Sequence, residues 1–233
     1  DSGTGGSKST NSVGTAAYQA VSELKEKLIA LAAARAGCKP EELRESNGRY
    51  AAPGGKSIRF VDIIRLALEQ NGGVITHLSV YEPARAPITS FAAQVAEVEV
   101  DPGTGQVKVK KLTTVHDSGK VLNHLTYQGQ VDGGVVTGLG FALMEDSSLI
   151  DGKMATANFG EFKMPTVADV PKLTTVLMED ATGPTPFQGK AIAEIPNVPT
   201  AAAIANAIED AVGVRLFDLP LTSEKIYRAL HQT

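Results

Sequence analysis

The chain has 233 residues, 42% of them apolar, and a net charge of −4; it is long enough to bury a real core, as one large domain or as two small lobes. That charge gives no reason to expect nucleic acid or an anionic membrane as partner, and no apolar run approaches the ~20 residues a membrane-spanning helix needs. Its one cysteine, Cys38, excludes a disulfide framework and excludes an iron–sulfur cluster held by this chain, since such a cluster usually takes four thiolates.

The chain opens on a Gly/Ser/Thr/Lys loop over residues 1–11 that runs straight into a helical pattern, with no signal peptide. Such an opening suggests that something normally precedes it, and a reducing cytoplasm is the expected setting. The spacing of Val13, Ala17, Ala20, Leu24, Leu28 and Leu31 predicts a helix from about residue 12 to a stop at Gly37. Pro40-Glu41-Glu42-Leu43 reads as a helical turn. Residues 57–70 read as a second amphipathic helix, ended by Asn71-Gly72-Gly73. A strand is expected over 74–81, with Pro83 and Pro87 preventing its simple continuation.

The clearest strand signal follows. Val98 and Val100 alternate with Glu97 and Glu99, and Val107 and Val109 alternate with Lys108 and Lys110, around the turn Asp101-Pro102-Gly103-Thr104-Gly105-Gln106. Opposed Glu and Lys would add cross-strand support. The alternation slips at Lys110-Lys111, which permits a bulge, and the second strand is expected to end over 115–119. Residues 124–145 keep helical spacing through Val131, Val135, Leu139, Phe141 and Ala142 despite Gly133, Gly134, Gly138 and Gly140. Each glycine costs a helix about 1 kcal/mol relative to alanine, so something is expected to approach this backbone closely. Short strands near 148–150 and 173–178, a helix over 199–212 closed by Gly213, and a last amphipathic helix over 221–231 complete the pattern. Helices and hairpin strands without regular βαβ alternation predict an α+β fold; two lobes would divide near residues 90–120.

Several constellations could carry chemistry. Pro186-Phe187-Gln188-Gly189-Lys190-Ala191-Ile192-Ala193-Glu194-Ile195-Pro196 sets one carboxylate among small and apolar residues, just ahead of an alanine-rich helix. Lost hydration would raise the pKa of Glu194 and suit it to take a proton near neutral pH; the competing reading is a structural ion pair with Lys190. The loop Ser2-Gly3-Thr4-Gly5-Gly6-Ser7-Lys8-Ser9-Thr10 pools amides, hydroxyls and a cation at a helix start, which suits an anion. A flexible polar tail is the alternative. It fails as a P-loop, because Ser7 precedes Lys8 and no strand leads into it. Gln130 carries an amide that both donates and accepts, fit for a pterin edge or an oxo group, or else for a cap or inter-helix bond. His116, Asp117 and His124 match no compact metal-ligand spacing, and His77 and His231 read as ordinary polar residues.

Taken together and in order, these segments resemble the C-terminal part of the molybdenum-binding large subunit of the xanthine dehydrogenase/aldehyde oxidase family of molybdenum hydroxylases. The resemblance rests on Gly3-Thr4-Gly5-Gly6-Ser7-Lys8-Ser9-Thr10, on Asp117-Ser118-Gly119-Lys120-Val121-Leu122-Asn123, and on Gly129-Gln130-Val131-Asp132-Gly133-Gly134 with its continuation to Gly140. Phe162-Lys163-Met164-Pro165-Thr166, the stretches 189–194 and 199–208, and Leu219-Pro220-Leu221-Thr222 complete it.

That resemblance implies oxidative hydroxylation of an aldehyde or N-heterocycle, with water as the oxygen source. It implies Glu194 as general base beside the molybdenum, and Gly5, Gly6, Ser7, Lys8, Ser9 and Thr10 gripping the molybdopterin phosphate or dinucleotide. Gln130 falls near the metal or pterin, and Lys190, Ile192 and Ala193 fall in the cofactor-facing segment before the base. The metal would be held by pterin sulfurs, so no protein ligand is expected. The pterin would be plain molybdopterin or its cytosine dinucleotide form, with 2Fe-2S clusters and FAD on partner chains or domains. Those partners are an iron–sulfur subunit, an FAD subunit and the N-terminal half of the molybdenum subunit, which this chain lacks, so activity is not expected of it alone. Ala191 and Ala193 stand where the family often has glycine, and Lys8 where arginine is common, a point charge instead of a bidentate fork. A non-catalytic fragment or assembly module, or an anion-binding domain unrelated to molybdenum, remain the competing readings.

Overall fold

The computed structural model describes residues 3–82, 90–180, 182–183 and 185–231; Ser2, Pro83 and Pro87 lie outside them. The described residues divide into two compact units, one of residues 9–82 and one of residues 3–8 with 90–231.

In the first unit α1 (Ser9–Ala36) stops at Gly37, whose φ of 75° turns the chain so that the Cys38 N–H reaches back to the Ala33 carbonyl at 3.1 Å. β1 (Arg44–Ser46), β2 (Arg49–Ala51) and β3 (Ser57–Arg59) pair antiparallel, and α2 (Phe60–Gln70) follows. The β1–β2 hairpin turns on Asn47-Gly48, both at positive φ, as two-residue hairpin turns of this kind require. Leu28 and Ala32 of α1, Tyr50 of β2, and Ile63 and Ala67 of α2 make the core. The helix expected over 57–70 therefore gives its first three residues to β3, because β2 offers them a pairing edge. The strand expected over 74–81 does not form. Its alternation is real, with Ile75, His77, Ser79 and Tyr81 half-buried, but among the described residues no strand lies beside it to complete a ladder. Ile75 packs on the core instead, while His77 bonds Lys27 Nζ at 3.0 Å and pairs with Glu23.

The second unit holds β4 (Ala92–Val100), β5 (Val107–Asp117), α3 (His124–Leu143), β6 (Leu149–Ile150), β7 (Lys153–Met154), α4 (Phe159–Phe162), β8 (Lys172–Met178), α5 (Thr200–Val212) and α6 (Ser223–His231). Its main sheet runs β4-β5-β8, with β4 antiparallel to β5 and β8 parallel to it, α3 lying between β5 and β8 in sequence. Glu97 opposes Lys111 and Val98 opposes Val109, so Lys110 is the extra residue of a bulge. The pleat changes phase there: Val107 and Val109 pack toward the core before it, and Leu112, Thr114 and His116 are buried after it. Outside, Lys111 reaches Glu97 at 3.0 Å and Lys110 reaches Glu99 at 3.1 Å. Asn123 caps α3 by accepting the Thr126 N–H at 3.2 Å. The core joins Leu112 of β5 to Val131, Val135 and Leu139 of α3 and to Ile204 and Ile208 of α5. The fold is α+β.

Candidate functional site

Four of the five glycines of α3 sort into two rows. A Cβ built on Gly134 would lie 2.8 Å from Pro196 Cβ, and one on Gly138 would lie 2.5 Å from Thr200 Cβ. That row lets the backbone meet packed protein, the close approach the sequence called for. A Cβ on Gly129 or Gly133 would meet nothing within 4 Å. These two, with Gln130, Gly134 and Thr137, line a cleft of about 370 Å³ that Ala193, Glu194 and Asn197 also line. Positions 129, 133 and 137 repeat at helical spacing, which puts them on one stripe. Thr137 donates its hydroxyl to the Gly133 carbonyl at 2.9 Å.

Glu194 sits on a strap over residues 188–196 that is tied at both ends. At the near end Gly189 bridges to Gly119, Lys120 N–H donates to the Gln188 carbonyl at 2.8 Å, and Lys190 N–H donates to the Ser118 carbonyl at 3.0 Å. Gly119 has φ of 58°, and a Cβ there would lie 2.5 Å from the Gln188 carbonyl oxygen. At the far end Gln94 of β4 donates to the Pro196 carbonyl at 2.6 Å, and the buried Thr200 hydroxyl lies 2.8 Å from Gln94 Oε1. Between the ends, Ser7 Oγ accepts the Ala193 N–H at 2.8 Å and the Ile192 N–H at 3.4 Å.

Two expectations about Glu194 are corrected. Its carboxylate is exposed, not dehydrated: Ile192 turns to the core and Pro196 is buried, which leaves Glu194 on the outer side of the strap, at the start of the short 3-10 helix Ile195–Asn197. Nor is Lys190 its partner. The Gly119–Gly189 bridge carries Lys190 to Asp117, where Nζ donates to Oδ2 at 2.7 Å with the side chains 12% and 21% exposed.

Ala193, Glu194 and Gln130 thus meet in one cleft, and Ser7 reaches the strap beside them. The amides of Ile192 and Ala193 point to Ser7. Gly5, Gly6 and Lys8 stay in the exposed loop, where Lys8 N–H turns back to the Gly5 carbonyl at 3.3 Å, and Ser9 and Thr10 begin α1 in the first unit. Gln128, the neighbour of Gln130 along α3, is structural, donating to Asp132 at 2.7 Å and to Thr175 at 2.9 Å. His116, Asp117 and His124 go to separate partners. His116 Nε2 lies 2.7 Å from Thr114 Oγ1, Asp117 holds Lys190, and His124 lies 3.6 Å from Glu179. Burial lowers the His116 pKa and pushes the Tyr127 phenol up to about 12. Among the described residues no three His, Cys, Asp or Glu side chains gather to hold a metal. Sequence reasoning missed Thr137 and Asn197 in the lining and Gln94 and Thr200 in the anchor; only Thr137 had a signal, its helical spacing from Gly129 and Gly133.

A family profile described as a molybdopterin cofactor-binding domain matches residues 1–171. The chain is 32% identical over 216 residues to the xanthine dehydrogenase molybdenum-binding subunit of Escherichia coli O157:H7, covering 89% of this chain and 28% of that one. It is 30% identical over 231 residues to the aldehyde oxidoreductase molybdenum-binding subunit PaoC of Escherichia coli (strain K12), covering 96% and 30%. Reconstituted CO dehydrogenase from Oligotropha carboxidovorans shares the fold, with a TM-score of 0.84 at 23% identity over 99% of this chain and 30% of that one. The chain spans 28–30% of the length of these curated relatives.

Proposed function

The chain belongs to the molybdopterin cofactor-binding domain family, and from that premise we propose that it supplies one side of the catalytic cleft of a molybdenum hydroxylase. The observation that carries this reading is the meeting of Glu194 and Gln130 in a cleft lined by bare helix backbone at Gly129 and Gly133. The residues fit a flat pterin group. A ring can lie where a Cβ at either glycine would otherwise project, while the Gln130 amide offers its edge both a donor and an acceptor. When bound, the cofactor supplies the molybdenum centre that takes two electrons from the substrate.

The rest of the chemistry falls to this chain's own groups. Among the described residues Glu194 is the one charge in the cleft lining, and it accepts the proton of the water-derived nucleophile that attacks an aldehyde or N-heterocycle carbon. Covering the cleft with cofactor and the remainder of the subunit shields that carboxylate from bulk water. The loop of Gly5, Gly6, Ser7 and Lys8 presents amides, a hydroxyl and a cation to the pterin phosphate or its nucleotide extension. The 2Fe-2S and FAD groups of partner chains or domains would serve as the electron acceptors, and turnover would belong to the assembled enzyme in the cytoplasm. Glu194→Gln tests the reading. It keeps the shape and removes the base, so turnover should fall by about 10²–10⁴-fold with molybdenum content unchanged; wild-type turnover would defeat the assignment.

A further inference from the structure

We propose that Ser7 is a positioning residue for Glu194, coupling the opening loop to the strap so that the group gripped by one sets the base carried by the other. The inference rests on the reading of the cleft given above and adds to it a link between two segments at opposite ends of the sequence. Ser7 Oγ accepts both the Ala193 N–H, at 2.8 Å, and the Ile192 N–H, at 3.4 Å. Ala193 is the residue before Glu194, so the bond fixes the Ile192–Ala193 peptide, one peptide ahead of the one that carries Glu194. The strap's other ties act farther away: Lys190 N–H on the Ser118 carbonyl at one end, and Gln94 on the Pro196 carbonyl at the other. Between them, among the described residues, only Ser90 adds a further side-chain bond, donating to the Ala191 carbonyl at 3.3 Å, and it holds the peptide before Ile192.

The backbone at Ser7 supports the same conclusion. Ser7 has φ of 54°, a left-handed conformation that a residue with a Cβ adopts rarely and keeps only where its surroundings fix it. The hydroxyl has two lone pairs and one proton. Two strap amides occupy the lone pairs, and the proton is left to donate away from the strap. An anion seated on the loop can accept that proton, which polarises the hydroxyl and strengthens its hold on the amides. Cofactor retention and base placement then share one atom.

The test uses two variants of the full chain. Ser7→Ala removes the hydroxyl and keeps the Cβ; Ser7→Gly removes the hydroxyl and relaxes the backbone, since glycine accepts φ of 54° freely. Amide hydrogen exchange over 190–197 should quicken about tenfold in both variants, the effect of losing one net hydrogen bond, while exchange in α5 stays unchanged and certifies the fold. In the cofactor-loaded enzyme, kcat per molybdenum should fall and KM should hold. Unchanged strap exchange in both variants overturns the proposal. So does quickened exchange with wild-type kcat per molybdenum, because Ser7 would then be merely structural, and so does lost molybdenum with an unmoved strap. Glu194→Gln, measured alongside, separates the two claims: if its turnover is intact the reading of the cleft fails, and the exchange data still decide whether Ser7 holds the strap.

Discussion

Gly133→Ala and Gly138→Ala form a matched pair that tests how the glycine-rich helix is used. Both changes give α3 the same gain in helix propensity, about 1 kcal/mol, so that contribution cancels between them. What remains is packing. The new Cβ at position 133 meets nothing within 4 Å, whereas at position 138 it would sit 2.5 Å from Thr200 Cβ and 2.9 Å from the Asn197 carbonyl oxygen. Thr200 is fully buried and β-branched, and a carbonyl on a 3-10 helix has little room to yield. Overpacking of this kind costs about 1–3 kcal/mol. Gly133→Ala should therefore raise the melting temperature by about 2–4 °C, and Gly138→Ala should lie below it by about 1–3 kcal/mol in urea unfolding. In the assembled enzyme the order reverses for cofactor content. The Gly133→Ala methyl projects into the cleft and should lower molybdenum occupancy despite the sturdier fold. Equal stability of the two variants would refute the packing argument, and full occupancy in Gly133→Ala would refute the role given to the bare backbone.

Other outcomes follow from the pairs beneath the strap. Asp117→Ala should cost about 1–3 kcal/mol by leaving Lys190 half-buried without its carboxylate; a double-mutant cycle with Lys190→Met should show the two losses to be non-additive, and additivity would mean the pair is idle. His116 has a folded pKa below the ordinary value of about 6.5. Its contribution to stability is thus full above about pH 6.5 and is lost as pH falls from there through the lowered value. The urea midpoint should decline over that window in the wild type, and His116→Gln should remove that part of the slope. Lys8→Ala should weaken cofactor retention by about 10–100-fold, the loss of one charged hydrogen bond, with kcat per molybdenum preserved; unchanged molybdenum content would count against a phosphate-gripping loop.

Much of the second unit was legible because its signals are local. The Glu/Val and Lys/Val alternation marked β4 and β5, the slip at Lys110-Lys111 marked the bulge, and Gly213, at φ of 76°, marked the end of α5. Two hairpins escaped although their turns were in plain view: Asn47-Gly48 between β1 and β2, and Asp151-Gly152 between β6 and β7, all four residues at positive φ. Of their strands only β6 was expected, near 148–150; β1, β2 and β7 are two or three residues long, too short for period-two counting to register. The segment 74–81 shows the converse error, since alternation reports one-sided burial and cannot supply a partner strand. At the site, Glu194 and Gln130 stood out by chemistry and by resemblance. The exposure of Glu194 could not be read, because it depends on which way Ile192 and Pro196 turn once Gly189 has met Gly119. Gln94 and Thr200 were invisible for the same reason: their bond joins a strand to a distant helix.

The surplus residue at Lys110 works as a phase change along β5. A charge-scanning map of this strand would invert partway: odd positions 107 and 109 would refuse a charge, then even positions 112, 114 and 116. A chimaera spliced between 109 and 112 must inherit the additional residue, Lys110, along with Lys111 beside it. Without it, one half of the strand would be turned inside out, presenting valines to water and lysines to leucine.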